Sequence, residues 1–282
     1  MKTLAIVGVD GHASSDAAVD WAASWAAATA SALRLTAVVE TRWSGIPTPA
    51  MSDEYVAALE GALAEAKTRA DGAATEVSLR YGEPVGELVE ESRAGSVLVI
   101  GSSRTSVISG MVYGSVPLKL ATETERPLVV VPAGWTPSAG PVVIGVDMAT
   151  DHAALLFAAS AASCFAVPLV LVHAWRTPEL VIADLAQYAT LTDSLKVTGA
   201  DFLDEAEAVV VNAFPTITIA SQLIEGDASL VLGRAAEAAQ LVVVGSHRRH
   251  AFAGLLVGSV GHDLLMSMPC PVAIVPQQVS AS

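Results

Sequence analysis

Two short stretches of this chain carry the residue types that hold an anion. The first runs Gly101-Ser102-Ser103-Arg104, nine further residues, then Gly114-Ser115-Val116; the second runs Gly245-Ser246-His247-Arg248, nine residues, then Gly258-Ser259-Val260. Gly101 and Gly245 each follow an apolar run, where a missing side chain lets the backbone turn sharply and approach a ligand closely. Gly114-Ser115 and Gly258-Ser259 are placed to open a helix. Its unpaired N–H groups and positive dipole end attract phosphate, and the serine can cap the helix or bond a phosphate oxygen. Any strand-to-helix connection favours Gly and Ser, so one such loop says little; the repeated spacing is what points to anion binding. Chemistry beyond binding has no visible carrier. The chain has no Gly-x-x-x-x-Gly-Lys-Ser/Thr run, no paired-His metal motif and no Gly-x-Ser-x-Gly elbow. His173, His247 and His250 can gather near the second loop, but a lone histidine is more often a hydrogen-bonded or surface group than a ligand.

The elements that must position these loops repeat as well. An offset of 144 relates the two loops and extends from Gly82 and Gly226 to Pro132 and Pro276. At the front, Val7-Gly8-Val9-Asp10 matches Ile144-Gly145-Val146-Asp147 with an offset of 137, so the second copy gains seven residues, placed here near 177–193. In the first copy, the continuous apolar run 4–9 reads as a strand buried on both faces. Ser14 or Ser15 can cap a helix running to about 32, with Asp16 in its first turn. Strands are expected at 35–39, 76–80, 97–100 and 128–131, and helices at 53–70, 85–93 and from Ser115. Alternating strands and helices imply parallel pairing with right-handed crossovers. The fold class is therefore α/β, with two tandem doubly wound five-stranded parallel sheets, over residues 1–137 and 138–282. Ligands of such sheets bind beyond the carboxyl ends of the strands, where Asp10 and Asp147 would meet the Gly-Ser loops.

Composition narrows the partners. The chain has 282 residues, 52% hydrophobic and 16% charged, enough apolar material for a core in each copy. Its net charge is −14, divided as −6 over 1–137 and −8 over 138–282, so neither half offers a basic field to nucleic acid or an anionic membrane. Residues 153–175 lack Asp, Glu, Lys and Arg over a membrane-span length, yet Pro168 and the Ala/Ser content favour a buried helix followed by a buried strand. Two cysteines far apart and no secretory leader pattern indicate a reduced, cytoplasmic protein.

The strand-one Asp, the glycine loop ending in Gly-Ser-Val, the Pro-flanked last strand and the Gly82-Glu83-Pro84 or Gly226-Asp227-Ala228 entry to the third helix together resemble the universal stress protein family. The likeness spans both halves and is closest to its tandem-domain members. It implies an adenine nucleotide alpha hydrolase-like fold with strand order 3-2-1-4-5, and binding of ATP or a related adenine nucleotide by a stress-response regulator or sensor. It also implies a homodimer and an unidentified protein partner, with Mg²⁺ accompanying the nucleotide and no protein ligand to name for it. Carried over by position, the nucleotide contacts are Asp10, Thr41, Gly101, Gly114, Ser115 and Val116 in the first copy. In the second they are Asp147, Ala174, Gly245, Gly258, Ser259 and Val260. The resemblance further implies pairing of the final strands 128–131 and 272–275. Both copies depart from the family's second glycine, which is Arg104 in one and Arg248 in the other. A guanidinium there either pairs with phosphate or fills its site. Filling both sites would leave a scaffold that binds no nucleotide; a slow ATP hydrolase is a third possibility for which no base can be named.

Overall fold

The computed structural model describes residues 3–41, 52–102, 115–177, 185–246 and 258–277, with Ser115 and 185–188 described by backbone alone. Contacts divide the chain into one unit of Met1–Pro137 with Cys270–Pro276, and another of Ser138–Pro269 with Gln277–Ser282.

The first unit contains β1 (Leu4–Gly8), α1 (Ala13–Thr29), β2 (Ala32–Glu40), α2 (Asp53–Arg69), β3 (Ala74–Gly82), α3 (Pro84–Ser92), β4 (Val97–Ser102), α4 (Ser115–Glu123) and β5 (Leu128–Pro132). Its sheet runs β3-β2-β1-β4-β5, all parallel, which is the expected 3-2-1-4-5 order. The apolar runs become its centre: Ile6, Leu33, Leu35, Leu98 and Leu128 have no exposed surface. A sixth strand, the last of the chain, Val272–Pro276, lies antiparallel on β5 with Val272 opposite Val130, Ala273 opposite Val129 and Ile274 opposite Leu128.

The second unit holds β6 (Val142–Gly145), α5 (His152–Phe165), β7 (Leu169–Trp175), α6 (Leu185–Ala213), β8 (Ile219–Glu225), α7 (Ala228–Ala236), β9 (Leu241–Ser246) and α8 (Ser259–Ser267); the final strand is β10. Its parallel order β8-β7-β6-β9 reproduces the first four positions of the same pattern. The uncharged stretch 153–175 divides into α5 and β7, broken by Ala166 in the left-handed region and by Pro168. No described helix is long and apolar enough to cross a membrane.

Two local expectations need correction. The helix after β1 starts earlier than expected: His12 occupies the N-cap position, and Ser14 and Ser15 are buried inside the first turn. Gly11, at φ +77°, reverses the chain immediately after Asp10, which brings the helix forward. The seven extra residues of the second copy do not enlarge a loop throughout 177–193. From Leu185 onward they belong to α6, which has 29 residues against 17 in α2.

Candidate functional site

In the first copy, Asp10 stands between β1 and α1 with its side chain 63% exposed. Its Oδ1 accepts the N–H of His12 at 2.9 Å, so this carboxylate supports the helix entry in place of a side-chain cap. Gly101, the penultimate residue of β4, lies against the first turn of α1: a Cβ there would lie 2.1 Å from the Ser14 carbonyl oxygen. Thr41 donates its N–H to the Gly82 carbonyl at 3.3 Å. Ser115 and Val116 open α4, whereas Arg104 and Gly114 fall outside the described residues.

In the second copy, Asp147, Ala174, Gly245, Gly258, Ser259 and Val260 all line one cavity of about 220 Å³ at the carboxyl ends of β6, β7 and β9. Arg248, like His247 and His250, falls outside the described residues. Asp147 is fixed in its turn, with Oδ1 accepting from the Ala149 N–H and the Thr150 hydroxyl, both at 2.9 Å. Thr150 in turn accepts the Asp147 N–H at 2.8 Å. Asp151 caps α5 through the Ala153 N–H at 3.3 Å, which frees Asp147 from that duty.

A helix terminus forms another part of the wall. Gly258, at φ +79° and ψ 154°, takes the N-cap position of α8 without a side-chain cap. The first intrahelical bond of α8 runs from the His262 N–H to the Gly258 carbonyl at 3.1 Å. The N–H groups of Ser259, Val260 and Gly261 therefore precede the helical ladder, and all three residues line the cavity. An acceptor-rich end at Asp147 and a donor-rich end at α8 thus line one cavity. Ser246, one residue past Gly245 and on the same strand face as the lining residue Val244, is 2% exposed with its hydroxyl unpartnered.

Thr150, Leu232 and Gly261 line the cavity without having been singled out in the sequence. Only Thr150 left a signal, since a hydroxyl three residues after a turn Asp is a recurrent local hydrogen-bond pattern. His173, the one described histidine of the group with His247 and His250, bonds the Val146 carbonyl through Nδ1 at 2.7 Å and packs edge-on against Phe202 of α6. Register also separates two residues nominated as counterparts. Gly8 lies opposite Thr36 and Gly145 opposite Val172. Ala174 therefore corresponds to Val38, and Thr41 to Thr177.

The model of the universal stress protein family matches residues 4–132 and again 139–276. A universal stress protein of Mycobacterium tuberculosis strain H37Rv is 29% identical over 289 residues, covering 96% of each chain. One from Mycolicibacterium smegmatis is 28% identical over 290 residues, again with 96% coverage of both. The crystal structure of a universal stress protein from Archaeoglobus fulgidus superposes with a TM-score of 0.70 over 98% of this chain and 96% of that one, at 16% identity. With the family pattern present twice and relatives aligned along nearly their whole length, this chain belongs to the universal stress protein family, as a tandem-domain member.

Proposed function

We propose that the chain is a stress-response sensor whose second copy binds ATP or a related adenine nucleotide. The observation that carries this is the convergence of Asp147, Ala174, Gly245, Gly258, Ser259 and Val260 on a single cavity. The cavity's polarity orients the ligand. The Asp147 carboxylate repels phosphate and accepts hydroxyl or amino donors of a nucleoside, while the α8 N-terminus takes the phosphates. At about 220 Å³ the cavity is smaller than the ~300–1,000 Å³ of pockets that enclose a drug-sized ligand, so a bound nucleotide extends beyond it.

The role we assign is regulation rather than turnover: among the described lining residues the one carboxylate, Asp147, is held in its own turn by Ala149 and Thr150. Mg²⁺ would arrive on the phosphates, since no group of three or more His, Cys, Asp or Glu among the described residues is placed to hold a metal. The proposal extends to a cytoplasmic homodimer, whose assembly light scattering would measure. Isothermal titration of the full chain with ATP and Mg²⁺ tests the binding. A saturable heat supports it, and no response at millimolar ATP overturns it in favour of the scaffold in which Arg104 and Arg248 fill the phosphate sites.

A further inference from the structure

The two copies share a fold but differ at positions that line the second copy's cavity. Four lining residues of the second cavity, Ala174, Ala228, Val244 and Gly261, have Val38, Pro84, Ile100 and Pro117 as their counterparts in the first copy. Each of the four exchanges places more carbon atoms at the counterpart position of the first copy, which argues for less room for a ligand there. The exchange of Gly261 for Pro117 also changes the chemistry. Both are third residues of their helices, and proline has no N–H, so α4 opens with one donor fewer than α8.

Charge differs in the same sense. Arg176, two residues beyond Ala174, pairs with Asp227 at 3.8 Å beside Ala228. Their counterparts in the first copy are Glu40 and Glu83, two carboxylates in place of an ion pair. Glu83 accepts the Gly86 N–H at the start of α3 as Asp227 accepts those of Ser229 and Leu230 at the start of α7, so only the partner's sign has changed. An anionic ligand meets a more negative border and a poorer donor set in the first copy. Two features run the other way: Thr36, counterpart of the lining residue Val172, is 1% exposed with its hydroxyl unpartnered, and the lining residue Thr150 has the smaller Ala13 as its counterpart.

We infer that the copies are unequal and that the chain binds one nucleotide, in the second copy, the first having become a structural partner. This rests on the nucleotide proposal above, and the test separates the two. Equilibrium dialysis of the full chain with radiolabelled ATP counts sites, and photolabelling with 8-azido-ATP followed by peptide mapping locates them. One ATP per chain with label confined to peptides of 138–277 is expected. Replacing Gly261→Pro should then weaken binding at least about tenfold, the effect of losing a hydrogen bond to a charged group. Two ATP per chain, or label in peptides of 3–132, would overturn the inequality while leaving nucleotide binding intact. No binding at all would overturn both.

Discussion

Gly101 and Gly245 occupy the same station at the end of the fourth strand of each copy, yet a methyl group meets different surroundings at each. At Gly101 it would lie 2.1 Å from the Ser14 carbonyl oxygen and 2.7 Å from the Ser15 nitrogen, both backbone atoms that cannot rotate away. At Gly245 the nearest described atom is the Ala154 Cβ at 3.9 Å, an ordinary contact. Gly101→Ala should therefore cost about 1–3 kcal/mol, as forcing atoms into a packed site does. Gly245→Ala should stay within about 0.5 kcal/mol. Urea unfolding of the two variants reads the difference; equal midpoints would mean that α1 does not press on the end of β4. The sequence marks both glycines as a turn beside a ligand. It does not distinguish a glycine required by a neighbouring helix from one beside an open cavity, because that depends on where α1 and α5 begin.

Between elements, α7 and α8 both contribute to the cavity wall, through Ala228 and Leu232 on one and Ser259 to Gly261 on the other. A side-chain hydrogen bond from Ser229 of α7 holds the Asp263 carboxyl of α8 below the ordinary carboxylate value, with His262 adding a weaker effect in the same direction and burial opposing both. A carboxyl lowered in the folded state stabilises the fold above its unfolded pKa of about 3.9 and loses that contribution as pH falls through the lower native value. Ser229→Ala should raise the Asp263 pKa toward the ordinary value and remove the acid-sensitive part of the α7–α8 contact. An NMR titration of the Asp263 carboxyl follows this directly, and an unchanged midpoint would rule the serine out as its main partner.

Most elements at this scale were legible. Buried parallel strands read as unbroken apolar runs, and Ser52 precedes α2 as a true cap, accepting the Tyr55 N–H at 3.2 Å. The start of α6 was not, because a stretch with threonines at 190 and 192 carries weak helix propensity and its helical state comes from the longer element it joins. The site was legible to the extent that its residues recur at fixed spacing. Its inequality was hidden in Val38, Pro84, Ile100 and Pro117, which matter only once strand register and helix position show them to be counterparts of a cavity's wall.

For the molecule as a whole, the repeat suggests that each copy owns five strands, but the final strand contributes its contacts to the first unit. Leu128 to Val131 and Val272 to Val275 are alike in character, apolar and bounded by proline, so neither pattern reveals which neighbour completes which sheet. Register supplies the answer for β5, which has β4 parallel on one side and β10 antiparallel on the other. All four residues Leu128 to Val131 have no exposed surface, and an edge so apolar is a template for unwanted pairing once uncovered. A chain stopped after Met268 lacks β10 and leaves that edge bare. Its β5 amides directed toward β10 should exchange at least about tenfold faster by hydrogen-exchange mass spectrometry, since losing a strand partner lowers the local opening energy by more than ~1.4 kcal/mol. Amides of β2, which lies between β1 and β3, provide the internal control, and they should keep their protection. The truncated chain should also self-associate on size exclusion, because the exposed strand seeks another edge. Unchanged protection at Leu128 to Val131 would show that β10 is not what closes the first unit.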